Sequence, residues 1–151
     1  MKTLARLLLL SALSVPAFAA DVSVIDPYAR AVPPGQPNSA AFMQISNNGD
    51  EAVTLTGAAT SAAGTAELHA HIQDEGVMRM RRIDGIELPA GETVTLQPGG
   101  LHVMLIGLKK TLAEGDDVDL ELQFSDGTSA SLTLPVKPVM PMGMQLHKGD
   151  Q

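Results

Sequence analysis

Val118-Asp119-Leu120-Glu121-Leu122-Gln123-Phe124, the turn Ser125-Asp126-Gly127-Thr128, and the return run Ser129-Ala130-Ser131-Leu132-Thr133-Leu134-Pro135-Val136 form the stretch that decides the fold. Apolar residues alternate with polar ones along both arms, which is the period of a half-buried strand. Asp126-Gly127 supplies the reversal between them. The stretch reads as an antiparallel hairpin, and the rest of the chain has the same texture. Val22 to Ile25 and Tyr28 to Val32 flank Pro27, which suits an edge strand or a bend. Pro33, Pro34, Gly35 and Pro37 mark a loop, and Asn47-Asn48-Gly49 closes a strand over Ala40 to Ser46. Ala52 to Thr56, Glu67 to Gln73, Val77 to Ile83, Thr93 to Leu96 and His102 to Leu108 are further strands. No amphipathic helix interrupts them. About seven to nine short strands with such punctuation predict an all-β, mostly antiparallel Greek-key barrel or sandwich.

The chain has 151 residues, which suits one domain. Its first residues read as an export leader: Lys2 and Arg6, an apolar run from Leu7 to Val15, and Ala17-Phe18-Ala19 as the cleavage site. That run is too short to span a bilayer, so no stable membrane insertion is expected. The expected organisation is a cleaved leader over 1–19, a β-domain over 20–136 and a flexible tail over 137–151. A leader without a lipobox Cys predicts a soluble exported protein, periplasmic in a bacterium. Removing the leader takes the basic residues from 10 to 8 against 17 acidic ones, a net charge of −9. Such a chain is a poor partner for nucleic acid. The chain has no Cys, which excludes disulfides, thiolate-bound zinc or blue copper, and a thiol nucleophile. No Ser-His-Asp signature or telling carboxylate pair points to an enzyme.

Histidine and methionine carry the remaining signal. His69 and His71 lie two apart on one strand, Met78 and Met80 on the next, and His102 and Met104 on a third. Side chains two apart share a strand face. Asp74-Glu75-Gly76 joins the first two strands as a hairpin. Its register sets either His69 or His71 opposite Met80, and both registers leave all four side chains on one face. Whether the third strand reaches them does not follow from spacing. Thioethers are soft, neutral ligands, poor for zinc, calcium or magnesium, and beside imidazole they suit Cu(I). With neutral ligands Cu(I) leaves a charge of +1 rather than +2, which is easier to hold away from water. The residues alone leave another reading open, in which the Met side chains fill a core and the His residues sit at the surface. In the tail, Met140, Met142 and Met144 alternate and His147 follows. They read either as an auxiliary copper-capturing arm, with Cu(II) at His147, or as an adventitious tail or last strand.

These residues resemble the periplasmic copper chaperones of the PCuAC family, which serve the CuA centre of cytochrome c oxidase. The family pattern is His, ten residues, Met, twenty-one residues, then His-x-Met. His69, Met80, His102 and Met104 match it, within Glu67-Leu68-His69, Gly76-Val77-Met78-Arg79-Met80, Leu88-Pro89-Ala90-Gly91 and Pro98-Gly99-Gly100-Leu101-His102-Val103-Met104-Leu105. The resemblance implies a cupredoxin-like fold with a partly exposed Cu(I) site built from those four residues. His71 and Met78 are then neighbours rather than primary ligands, and Met43 is a core residue. It also implies a second copper, as Cu(II), in members with a Met-rich extension. The implied partners are an acceptor such as the CuA domain and Sco-type thiol proteins. A copper buffer without a dedicated acceptor would need the same site, and a metal-free β-sandwich binding module is the remaining alternative.

Overall fold

A computed structural model describes residues 21–138. The expected leader over 1–19 and the tail residues Met140, Met142, Met144 and His147 lie outside the described residues. The described chain is all β: β1 (Val22–Arg30), β2 (Asn38–Asn47), β3 (Val53–Ala59), β4 (Ala63–Asp74), β5 (Val77–Arg82), β6 (Ile86–Leu88), β7 (Thr93–Leu96), β8 (His102–Leu108), β9 (Asp117–Phe124) and β10 (Ser129–Lys137). The path of pairing runs β5-β4-β8-β2-β1-β10-β9-β3-β6, and β7 pairs with β2. Every pair is antiparallel except β1 with β10, where Ala29 faces Val136 and Arg30 faces Lys137.

The hairpin that decides the fold forms as its alternation requires. Leu122 faces Ala130, Leu120 faces Leu132 and Val118 faces Leu134 across β9 and β10. Asp126 turns it by accepting from the Thr128 N–H at 3.0 Å and from its hydroxyl at 2.6 Å. Pro27 does not split β1. It falls where the β1–β2 register shifts between Ile25 and Tyr28, and Asp26 there takes a positive φ of 48°. A bulge absorbs the residue that has no N–H to give the ladder. The strand count exceeds the expected range because the three-residue β6 carries too little pattern to be read in sequence.

One core joins the two halves of the path. Ala41, Met43 and Ile45 of β2, Leu68 of β4 and Val103 and Leu105 of β8 pack in one cluster with Leu55, Leu88, Leu120, Leu122 and Leu134. Full burial of each Val, Leu, Ile or Met side chain among them contributes about 1.5–3 kcal/mol. Met43 is a core residue, as expected. The sheet curls round this core without closing into a barrel, so β5 and β6 end the path.

Asp119 on β9 fastens the corner between β3 and β4. Its carbonyl accepts from the Thr60 hydroxyl at 2.6 Å, and its carboxylate accepts from the Ser61 N–H at 2.9 Å and from the Ser61 hydroxyl. The Ser61 hydroxyl, and next its N–H, hold the Asp119 carboxyl below the usual carboxylate range. A carboxylate depressed in the folded state adds stability above its unfolded pKa of about 3.9, lost as pH falls through the lower folded value. Asp119→Asn is expected to lower the Tm by about 2–5 °C at pH 7. In thermal melts across pH the deficit should vanish towards pH 2, and an equal deficit at pH 2 and pH 7 would remove the charge from the account.

Candidate metal centre

Strand β8 lies between β4 and β2. Leu68 faces Val103, His69 faces His102 and Glu67 faces Met104 on one side, and Ala40 faces Met104 on the other. Leu68, Val103 and Leu105 point into the core, so by alternation His69, His102 and Met104 occupy the opposite, outward face. The next strand adds its side chains to that face. His71 faces Met80 and Gln73 faces Met78, which is the shifted of the two registers the sequence permits. The third strand therefore reaches the first directly.

An outward His on a sheet would ordinarily be wet, yet His102 is only 4% exposed. The loop over 31–37 and the turn at 97–100 rise beside it and leave a cleft of about 420 Å³, whose lining includes His71, Met80, His102, Met104 and Phe42. The turn is tight: the Gly100 N–H donates to the Gln97 carbonyl and the Gln97 N–H to the Leu101 carbonyl, both at 2.9 Å. Gly99 sits at a φ of +82°, which a side chain would strain. This turn aims the Gly100 carbonyl at the imidazoles.

That carbonyl sets the chemistry. It can only accept, so His102 Nδ1–H donates to it at 3.0 Å and His71 Nδ1–H at 3.2 Å. Both neutral rings then expose a bare Nε2. His102 Nε2 stands 3.1 Å from the Met80 sulfur. Two lone-pair donors thus face one another with no proton of their own between them, an arrangement that a soft cation would satisfy. His69 is held the opposite way round. Its Nε2–H donates to Glu67 Oε2 at 2.9 Å, and its Nδ1 is buried without a partner. A buried unpaired acceptor costs about 1–3 kcal/mol. A metal ion at Nδ1 would remove that cost, and Glu67 would orient the ring as an outer partner.

The five side chains are not equivalent. His71, Met80, His102 and Met104 line the cleft, while His69 stands beside it with its ring centroid 5.7 Å from that of His102. Met80 is 46% exposed and Met78 57%, so neither fills a core. Met78 lies towards the hairpin tip, opposite Gln73. Among the described residues no group of three or more His, Asp or Glu side chains could hold a metal. A centre here therefore requires the thioethers. Phe42 backs His102 with ring centroids 6.2 Å apart, and Tyr28 stands behind Phe42 at 5.3 Å. Sequence reasoning missed Glu67 and the Gly100 carbonyl. Glu67 had a signal, since it shares the parity of His69 two residues on. A backbone carbonyl has none.

The model of the LpqE-like lipoprotein family matches residues 22–136. A Leifsonia xyli protein, Lxx21020, whose name describes it as a lipoprotein, is 38% identical over 104 residues, covering 68% of this chain and 63% of that one. The chain thus spans less than two thirds of that relative's length. DR1885 of Deinococcus radiodurans, in its apo solution structure, is 33% identical with a TM-score of 0.63, covering 93% of this chain and 94% of its own. Its Cu(I) form has a TM-score of 0.60 at 32% identity, covering 85% and 83%. The copper-bound PCuAC domain from PmoF2 has a TM-score of 0.68 at 23% identity, covering 81% and 97%, a likeness of fold.

Burial first, and the neighbouring His69 and His71 next, push the His102 pKa below its ordinary value, against the opposing pull of the Gly100 hydrogen bond. A base whose folded pKa is depressed stays neutral further into acid. The stability from burying the neutral ring is lost as pH falls through that value. NMR of the apo protein should show the His102 ring titrating below about 6.5. A midpoint at or above that value would mean a hydrated ring and overturn the buried-ligand geometry.

Proposed function

The chain belongs to the LpqE-like, PCuAC-type family, and on that premise we propose that it is an exported copper chaperone, carrying Cu(I) on His69, Met80, His102 and Met104. One observation carries the reading: the bare Nε2 of a buried histidine faces a thioether at 3.1 Å, with the ring's other nitrogen locked to a carbonyl. The Nδ1 of His69, buried without a partner, points the same way. All four ligands are neutral, so the ion's charge stays at +1, and soft sulfur prefers the reduced metal.

Release follows from where the ligands sit. Met80 is on β5, at the end of the sheet path, and nearly half exposed. An acceptor thiolate approaching from solvent displaces this thioether first and then draws the ion from the imidazoles. A thiolate pair binds Cu(I) more tightly than thioethers do, so copper runs from this chain to its acceptor. The reading takes the acceptor to be a copper-binding domain such as the CuA domain of cytochrome c oxidase, with Sco-type thiol proteins in the same assembly. The leader over 1–19 would deliver the chain to the periplasm. Met140, Met142, Met144 and His147 would act as an auxiliary arm for a second copper, as Cu(II). No enzymatic activity belongs to this reading.

An anaerobic Cu(I) titration of the mature chain against a chromophoric chelator tests it. One tightly held Cu(I) is expected. Met80→Ala and His102→Ala should each weaken it by more than the about 10–100-fold that loss of an outer-shell partner costs. Replacing the three tail methionines and His147 with Ala should leave this ion in place. Failure to compete with the chelator, or indifference to both point substitutions, would sink the proposal.

A further inference from the structure

The outward face that carries the candidate ligands continues past them, and its far flank holds charge. Arg30 lines the same cleft as Met80, His102 and Met104. Two residues before it, Tyr28 faces Phe42 across the β1–β2 ladder, and Phe42 backs His102. On the other side of β1, Lys137 faces Arg30. Its Nζ lies 5.9 Å from the centre of the Tyr28 ring, so it stands on the same face. Both cations are exposed, and the backbone beneath them is fixed. The Ser39 hydroxyl donates to the Arg30 carbonyl at 2.6 Å, and the Ala31 N–H donates to the Lys137 carbonyl at 2.8 Å. The arginines of β5, on the opposite flank, are matched by carboxylates: Arg79 and Arg81 by Asp74 at 3.7 and 3.5 Å, and Arg82 by Glu67 at 4.0 Å. Among the described residues Arg30 and Lys137 have no such partner. In a chain with an excess of acidic residues, two unmatched cations thus stand at the rim of a site for a cation.

That placement works against holding copper, because a guanidinium in the cleft repels an ion whose own ligands are all neutral. An anion arriving from outside gives the two cations a use. We propose that Arg30 and Lys137 form a docking corner for the acceptor, whose copper-receiving thiolates are flanked by Asp or Glu carboxylates. The proposal rests on the copper-carrier reading above and adds the chemistry of the partner. The guanidinium offers paired N–H donors in a plane that matches a carboxylate, and the ammonium beside it adds a second charge. Docking there brings the thiolates to the cleft that Met80 lines. An acceptor thiol first gives its proton to solvent. Its sulfur then bonds to Cu(I) as the bond from the Met80 sulfur breaks, and a second thiolate replaces the remaining ligands. Copper stays Cu(I) throughout, and no electron moves. The copper complex passes from a charge of +1 to −1 as two thiolates bind, so the corner that disfavours the first charge favours the second.

Transfer kinetics on the full mature chain test this. The Cu(I)-loaded protein is mixed anaerobically with one of two synthetic peptides that share a Cys-x-x-Cys pair, flanked by Glu in one and by Lys in the other. At about 0.15 M ionic strength the Debye length is about 8 Å, so charges near the cleft decide and distant ones are screened. There the Glu-flanked peptide should take copper about tenfold faster, although the net charge of the chain alone would favour the Lys-flanked one. The gap should close towards about 1 M, where the Debye length is about 3 Å. Arg30→Gln combined with Lys137→Gln should remove most of the preference, and Arg30→Lys alone should retain it. The double variant should load Cu(I) at least as tightly as wild type, since it loses only repulsion. Equal rates for the two peptides with the wild-type chain would overturn the proposal. So would a loss of rate in the double variant that is the same for both peptides, because the cations would then act within the chain. Melting curves check that the double variant is folded, and Arg30→Gln alone replaces it if it is not. Titration of the wild-type chain with Cu(I) separates this proposal from the one on which it rests. A chain that takes up no Cu(I) defeats the carrier, whereas one that loads Cu(I) and gives it to both peptides alike defeats the docking corner alone.

Discussion

Strand β8 is held between β4 and β2 by residues of one parity. Val103 and Leu105 enter the core beside Leu68 and Ala41. Because side chains alternate across a strand, that burial dictates that His102 and Met104 emerge on the other face. A slip of one residue would drive an imidazole and a thioether into the core and expose two fully buried aliphatic side chains. Each of those contributes about 1.5–3 kcal/mol when buried, so the slipped register is strongly disfavoured. The hydrophobic core is thus what positions the candidate ligands, although none of them belongs to it.

Separation of core from site has a further effect. Among the described residues, Ser39, Asn47 and His102 are the buried polar ones. Ser39 donates to the Arg30 carbonyl, and Asn47 donates to the carbonyls of Glu51 and Leu88. Those two bind backbone together. His102 shares Gly100 with His71 and turns its remaining nitrogen towards a sulfur. The loop over 31–37 and the turn at 97–100 account for its burial, and the nitrogen turned towards sulfur is the contact on which the proposed copper site rests.

Much of this was legible from residue order. Alternation exposed the β9–β10 hairpin, and shared parity put the His and Met residues of β4 and β5 on one face. Pairing of β8 with β4 was not legible. It joins residues from 33 positions apart at His69 and His102 to 45 apart at Ala63 and Leu108, and strand neighbours at that range are selected by three-dimensional packing rather than by local pattern. The β4–β5 register was narrowed to two choices that spacing could not separate, since both keep the parity intact. His71 lies outside the His-x-Met spacing, and only the structure reveals that it shares the Gly100 carbonyl with His102. Glu67 has no role in the motif as a sequence and acquires one only where its carboxylate accepts from His69 Nε2–H and fixes that ring's tautomer.

The parallel pairing of β1 with β10 has a kinetic side. It is the seam that joins the β5-β4-β8-β2-β1 half of the sheet to the β10-β9-β3-β6 half, and it unites the first strand with the last. Loop closure over so many residues must precede any gain from contact, which places the fold among slow, high-contact-order topologies. A chain that emerges N-terminus first can form β1 and β2 early, but its two halves stay unjoined until β10 arrives. The edge of β1 waits open through that interval, whereas β5 stays an edge in the finished sheet, where the charges of Arg79, Arg81 and Arg82 disfavour pairing with another chain.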